Sequence, residues 1–372
     1  MYHARFKGTH YEAGFRWGSL LFQHQNFILE HIPFEITRER IDYARACLPV
    51  YEKFYPEILE EIKGLADGQH SDVRPFQALL LSMYAIPPSC QCSCLAVSDG
   101  QHVLLGRNSD FLPELEKRNM NVIYRLSDGT YAFTGNTTAF VEMEDGVNEH
   151  ALAAGLTSVF PTARKPGFNA GMLVRYLLEK CRTVKEALAH VRRLPIGSAQ
   201  TLTLADPAGH IALVECNARR TAIADFAPEN SFDAQQAGTN QFGAEEPEAN
   251  RFNGEASRTG HAGTASFFVC ATNRFHLPEM ADCNPPGIDD WFAGRRWQTL
   301  HSCLGESASA PPLSLVQEIL SGKRGFLCQY ERRTGKDTVW SVVYDLRQKK
   351  IWRCEKNPSR GAFREDCRFR MR

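Results

Sequence analysis

The chain has 372 residues, with 43 Lys and Arg against 43 Asp and Glu, so its formal charge is zero; 43% of it is hydrophobic. That balance gives no electrostatic ground for nucleic acid or an anionic membrane as partner, and no run nears the roughly 18 apolar residues of a membrane-spanning helix. The opening MYHARFKGTHYEAGFRWGSLL lacks the apolar core of a signal peptide, so a cytoplasmic location is expected. Twelve cysteines over this length are not the framework of a small disulfide-stapled domain. Most are expected reduced and buried as small hydrophobes.

The first part reads as helical. Tyr11 to Phe27 carries Gly14 and Gly18 four residues apart, a spacing that suits close helix packing. EITRERIDYARACLPVYEKFYP, from Glu35, continues the pattern, as does PEILEEIKGLADG, closing on Asp67-Gly68. Asp72 to Tyr84 is the next helix, with Pro75 in its first turn. Pro87-Pro88 stops helix, and strands follow. Ser98-Asp-Gly-Gln101 and Ser127-Asp-Gly-Thr130 are hairpin signals. Ala151 to Phe160 reads as a strand and Leu173 to Cys181 as a helix. Thr183 and Glu186 form a capping box that starts another helix, ending near Leu194-Pro195. QTLTLADPAGHIALVECN is a hairpin turning at Asp206 to Gly209. From 233 to 266 the composition shifts to Ala, Gly, Glu, Asn and Thr, a flexible insertion. A strand (Phe267 to Ala271), helices (Trp291 to Leu304 and Ser314 to Leu320) and a last hairpin (Val339 to Leu346 with Lys350 to Cys354) complete the chain. The Arg-rich stretch from Arg353 to Arg372 reads as a solvated surface segment. Helices on either side of many antiparallel strands imply a sheet-rich core covered by helices.

The chemistry concentrates in CQCSCLAVSDGQHVLLGRNSDF, from Cys90 to Phe111. Three cysteines at alternate positions could be a metal site, a disulfide knot, or one activated thiol with two bystanders. Zinc wants four ligands, and no partner pair is evident. A disulfide between alternate strand residues is geometrically awkward. If Asp99-Gly100 is a two-residue hairpin loop, paired positions sum to 199: Cys94 faces Leu105, Cys92 faces Arg107, and Cys90 faces Ser109. Directly opposed residues lie about 5 Å apart. Only Cys92 then has a cation beside it, and such a thiol is more readily ionised. Cys94 is expected to be an inert core thiol. His102, His150, His210 and His276 sit in no recognisable catalytic motif. An alternative base is the α-amino group of Cys92 itself, if the chain is cut just before it; such an amine titrates near 8 and can activate an adjacent nucleophile.

CSCLAV from Cys92, the turn, then LGRNSD ending at Asp110 resembles the start of the mature chain in N-terminal-nucleophile cysteine hydrolases. The nearest branch is the penicillin acyltransferase-like (acyl-CoA:6-aminopenicillanic acid acyltransferase) family, with choloylglycine hydrolases as more distant cousins. The similarity also runs through GTHYEAG (8–14), NEHALAAGLT (148–157), LLEKCRTVKEA (177–187), VECN (214–217), ATNRF (271–275) and NPSR (357–360). It implies an α+β fold, a four-layer αββα sandwich in one catalytic domain spanning 1–372. It also implies self-cleavage at Gln91–Cys92, leaving a helical 1–91 chain and a 92–372 chain together as a heterodimer. In the implied mechanism Cys92 attacks a linear amide of a small N-acyl substrate and forms a thioester. The α-amine serves as base, Asp110 orients that amine, and Arg107 steadies the thiolate or holds a substrate carboxylate. Asn273 helps form the oxyanion hole, and Arg360, Thr157 and Ser93 contribute to substrate binding. Hydrolysis and acyl transfer, with a small-molecule amide or an acyl donor such as acyl-CoA, use the same intermediate. No cofactor or metal is implied. Gln91 stands where the penicillin enzyme has Gly, Ser93 where Thr is commoner, and Thr157 where choloylglycine hydrolases tend to have Asn, which argues against bile-salt hydrolysis. A peptide or lactam amidase, or an unprocessed and inactive relative acting as a binding protein, are the alternatives.

Overall fold

Thr9 opens the first helix. Its hydroxyl accepts the Glu12 backbone N–H, and the Glu12 carboxylate accepts the Thr9 N–H at 2.8 Å. The computed structural model describes residues 1–32, 34–86, 91–228, 267–305 and 312–372. The expected insertion at 233–266 lies outside them. Ahead of Thr9 runs β1 (Tyr2–Gly8), a strand where the sequence reads as helical up to residue 91. Among its residues only Phe6 is buried, so an apolar pattern is nearly absent. Then come α1 (His10–Gln23), α2 (Arg38–Phe54), α3 (Pro56–Gly68) and α4 (Val73–Ser82). The Gly14/Gly18 spacing serves close packing, as expected. A Cβ on Gly14 would meet the Glu61 carbonyl oxygen at 2.0 Å, and one on Gly18 that of Leu65 at 2.3 Å. Gly64 and Gly68 answer from α3, so the two backbones touch directly.

Next follow β2 (Gln91–Ser98), β3 (Val103–Phe111), β4 (Met120–Leu126), β5 (Phe133–Thr137), β6 (Asp145–Asn148), β7 (Ala153–Ser158), α5 (Ala170–Lys180) and α6 (Val184–Val191). Beyond them are β8 (Gln200–Ala205), β9 (Ile211–Cys216), β10 (Thr221–Phe226), β11 (Phe267–Ala271), α7 (Ala293–Gly305), α8 (Leu313–Leu320), β12 (Asp337–Asp345), β13 (Lys350–Cys354) and β14 (Arg364–Glu365). One sheet runs β1-β4-β5-β6-β7-β8-β9-β10, and the other β11-β2-β3-β12-β13-β14. Among the described strands of the two sheets, the β1–β4 pair is parallel and the others are antiparallel.

Alternation along the strands sets the layers. Cys94, Ala96, Leu105 and Val342 of the smaller sheet meet Val147, Ala153, Ala205 and Leu213 of the larger one in a shared core. Leu95, Val97, Leu104 and Val343 point the other way, onto Leu300, Leu304, Val316 and Ile319 of α7 and α8. The outer face of the larger sheet packs Val122, Phe133, Leu156 and Leu202 against the remaining helices. The result is four layers, αββα. The stretch from Arg353 to Arg372 is in part the solvated segment expected, with Arg360, Arg364, Arg370 and Arg372 exposed, but Phe369 and Met371 are buried in the inter-sheet core and Arg353 is buried on Asp366. The carboxylate that lets Arg353 be drawn in comes from Asp366 of the same stretch. Among the described residues no cysteine is in a disulfide, and no helix is long and apolar enough to cross a membrane.

A buried charge network ties residues ahead of Cys92 to those after it. His10 reaches Asp128 (2.6 Å) and Glu179 (3.1 Å), and Arg175 pairs with Glu179 (2.5 Å) and Glu61 (2.8 Å). Burial acts to lower the His10 pKa, but the charge and hydrogen bond of Glu179, with Glu61 behind it, raise it from 6.5 to about 9. A histidine raised in this way stabilises the fold fully below about 6.5, and that contribution disappears as pH climbs through about 9. At about 1.4 kcal/mol per pH unit, it is on the order of 3 kcal/mol. Urea unfolding is therefore expected to show stability falling across that window, with His10→Gln flattening the fall. An equal slope in both proteins would remove His10 as its source.

Candidate active site

Cys92 is the second residue of β2, an inner strand of the smaller sheet. The hairpin that positions it is longer than the sequence suggests. Ser98 pairs with Val103, so Asp99 to His102 form a four-residue loop and the paired positions sum to 201. The Asp99 carboxylate accepts the backbone N–H of Gln101 (2.8 Å) and His102 (2.5 Å), and Gly100 has φ +84. This side-chain capping builds the wider loop in place of a tight two-residue turn. Cys94 therefore pairs with Arg107 and Cys92 with Ser109, not with Leu105 and Arg107 as expected. Cys90 lies outside the described residues.

The shift is two in the sum, so every side chain keeps its face. Arg107 still reaches the right thiol, diagonally: its Nη2 donates to the Cys92 sulfur at 2.6 Å. The rest of that guanidinium is anchored elsewhere. Nη1 meets Asp145 (3.0 Å), Nη2 also meets Glu144 (3.1 Å), and Nε donates to the Leu156 carbonyl (2.8 Å). Both carboxylates are fully buried, so the thiol faces a donor whose charge is already countered by two anions. Further donors hold the carboxylates: Ser109 and Thr138 on Glu144, Tyr344 and Trp340 on Asp145. Cys94 is the bystander the sequence implies. Burial pushes its thiol up to about 12, and a Cβ on Gly155 would stand 2.8 Å from its sulfur.

The Cys92 backbone is gripped separately. Its N–H donates to Asn273 Oδ1 at 2.9 Å, and its carbonyl accepts from Arg296 Nη1 at 2.5 Å. Arg296 also donates to Ser93 Oγ (2.9 Å), Asn273 Oδ1 (2.8 Å) and Asp110 Oδ2 (3.4 Å). Asp110 takes Thr338 Oγ1 on Oδ1 (2.6 Å) and Tyr330 OH on Oδ2 (3.1 Å). Burial raises the Asp110 pKa, while Arg296 and the Thr338 and Tyr330 hydroxyls oppose the rise. Asn273 Oδ1 holds the Cys92 nitrogen, while its Nδ2 donates to the Ser158 carbonyl at 2.8 Å.

Cys92, Arg107, Asp110, Asn273 and Ser93 thus converge. Thr157 is buried behind them; its hydroxyl bonds the Thr272 carbonyl and meets Thr201 Oγ1 at 2.8 Å. Arg360 stands apart, half-exposed and paired with Asp337 at 2.5 Å. Neither Thr157 nor Arg360 lines the two cavities at the site, so the structure gives neither a contact surface for substrate there. The residue sequence reading missed is Arg296. A signal was present: Ala293, Arg296, Leu300 and Leu304 form the buried stripe of α7, and a charge on an apolar stripe needs a buried partner.

Two cavities flank this cluster. The larger is about 580 Å³ and mostly apolar; the smaller is about 250 Å³ and includes Asn273, Ser158, Asn284, Asp289 and Asp290. Gln91 and Trp291 line both. Cys92 itself is fully buried in the continuous chain and lines neither cavity.

Four layers, αββα, thus place Cys92 near the head of an inner strand of the smaller sheet. Residues 97–360 match the model of the acyl-coenzyme A:6-aminopenicillanic acid acyl-transferase family, and the chain belongs to that family of acyl-transferring enzymes. The matched span holds Arg107, Asp110, Asn273, Arg296 and Arg360 and begins just after Cys92. No curated protein matches the chain. Among solved structures it is similar to penicillin V acylase from Agrobacterium tumefaciens (14% identity, 71% of this chain and 82% of that one, TM-score 0.41). It is also similar to a variant of the conjugated bile acid hydrolase from Clostridium perfringens (13% identity, 75% of this chain and 98% of that one, TM-score 0.42).

Proposed function

We propose that the protein is a self-processing cysteine amidohydrolase or acyltransferase that acts on a linear amide of a small N-acyl compound through a thioester at Cys92. The observation that carries this reading is the separate holding of the two groups of one residue. Arg107 holds the thiol of Cys92 and Asn273 holds its nitrogen, directly after the peptide bond that self-cleavage breaks.

In the first step the Cys92 sulfur attacks the Gln91 carbonyl carbon, the C–N bond to Cys92 breaks, and the nitrogen takes a proton to become an α-amine. Water then hydrolyses the thioester to a Gln91 carboxylate and returns the thiol. With substrate, the α-amine takes the thiol proton as sulfur attacks the acyl carbon, and passes it to the departing amine. Water or an acceptor amine closes the cycle, which distinguishes hydrolysis from acyl transfer. Asn273 keeps the α-amine beside its own thiol. Asp110 acts through Arg296, which grips the Cys92 carbonyl and Asn273 together. The soluble partner is a small-molecule amide or acyl donor, such as an acyl-CoA, and the site is proposed to need no cofactor. A peptide or lactam amide would use the same machinery.

The full burial of Cys92 favours a second reading, in which an uncut chain keeps the fold as a binding protein. Intact mass spectrometry separates the two. The expected result is two associated chains of 91 and 281 residues (372 minus 91), the larger beginning at Cys92. A single uncut chain in active preparations would leave Cys92 without its proposed base.

A further inference from the structure

We infer that the substrate is an amide with a long apolar acyl group and a compact polar amine, and that the segment ahead of Cys92 builds the acyl-binding wall. The inference rests on the catalytic reading above for its direction across the site and on the two cavities for its chemistry.

Gln91 and Trp291 line both cavities, and Gln91 is the residue bonded to the Cys92 nitrogen. A substrate straddling Gln91 places its carbonyl over Cys92 and one half in each cavity. Proton flow fixes which half goes where. The departing amine takes its proton from the Cys92 α-amine, and that nitrogen is held by Asn273. Asn273 and its acceptor Ser158 line the smaller cavity, as do Asn284, Asp289 and Asp290. The amine half therefore lies there, among groups that can hydrogen-bond it, in a space of about 250 Å³. The acyl half is left with the cavity of about 580 Å³, which is within the range of ligand pockets and far larger than an acetyl group needs.

The wall of that cavity is apolar on two sides. Leu21, Phe34, Leu79 and Met83 come from the segment before Cys92; Phe111 and Leu115 come from after it. Residues from 1–91 supply roughly half of the lining. Loss of this segment after self-cleavage would open the acyl site to water, so the segment is a permanent part of the enzyme. The His10–Glu179 and Arg175–Glu61 contacts hold it to the rest of the chain, and the glycine seam of α1 and α3 holds the segment itself together.

The test uses N-acyl-glycinamides from acetyl to tetradecanoyl, with glycinamide release measured by an amine-reactive dye. kcat/KM is expected to rise by up to about fourfold per added methylene, the worth of burying one such group, until the cavity fills. Leu21→Trp and Leu115→Trp narrow the cavity from opposite sides and should move the optimum to shorter chains. Leu21→Ala should move it to longer ones. All three should still self-cleave by mass. A second readout does not depend on turnover: calorimetric binding of tetradecanoic acid to the Cys92→Ala protein, weakened tenfold or more by Leu21→Trp. Chain-length-dependent binding without any turnover would support the acyl cavity while removing the catalytic reading. Turnover indifferent to acyl length, with no effect of the Trp variants, would overturn the inference and leave Cys92 as nucleophile.

Discussion

Cys92→Ala is expected to abolish both self-cleavage and turnover, the latter by about 10⁴-fold or more, as for loss of a covalent nucleophile. Cys94→Ala is expected to leave both near wild type at a stability cost of about 1 kcal/mol. The contrast is sharp because the two thiols share one strand face and lie two residues apart. What separates them is local. The Arg107 fork delivers a donor to the Cys92 sulfur, whereas Cys94 is packed onto β7 with its thiol pushed up to about 12 by burial. Removing the Cys92 sulfur takes away the attacking atom in both the self-cleavage step and the substrate step, so the two losses should coincide. Mass spectrometry and an amide-release assay on the same preparations decide it. A Cys94→Ala protein that neither cleaves nor turns over, beside an active Cys92→Ala protein, would exchange their roles.

Arg296→Lys is expected to lower turnover by about 100-fold or more while retaining the buried charge. The guanidinium serves six acceptors around Cys92: its carbonyl, Ser93, Asn273, Asp110 and the Asp290 and Trp291 carbonyls. A lysine ammonium has three donors and no planar fork, so it cannot hold Asn273 and the Cys92 carbonyl at once. Arg296→Ala goes further and leaves Asp110 buried without its cation, at an expected cost of about 3–5 kcal/mol. The informative comparison is rate against melting temperature. A positioning role predicts that the lysine variant loses rate out of proportion to its modest loss of stability, with slowed self-cleavage. If it cleaves and turns over at the wild-type rate, Arg296 is only the counter-ion of Asp110.

Local chemistry was legible in the sequence. Thr183 caps α6 by accepting the Glu186 N–H, while the Glu186 carboxylate takes the Arg182 N–H in place of the Thr183 N–H that a full box needs. Asp206 to Gly209 turns β8 into β9, and Gly14 and Gly18 mark the seam with α3; each depends on residues within a turn or two of one another. The contact of Arg107 with the Cys92 thiol was also legible, although the pairing itself was not: it survived a wrong loop length because the period of two keeps faces when the register moves by two. β1 and β6 were not legible, since one is an edge strand with little apolar pattern and the other is short and built from Asp145, Gly146 and Asn148 around a single valine.

The sequence by itself determined the candidate nucleophile, the acid at Asp110, the asparagine at Asn273 and the layering of helices on strands. Only the tertiary structure decided that Arg296 joins them, from 204 residues beyond Cys92, and that Glu144 and Asp145 counter the charge of Arg107. It also decided that Asn273 faces the Cys92 nitrogen and that Gln91 lines two cavities of different polarity. The division has one physical reason. Caps, turns and periodicity are fixed by the few residues that form them, whereas a buried charge is satisfied by whichever partner the packed sheets bring within about 3 Å, at any distance along the chain.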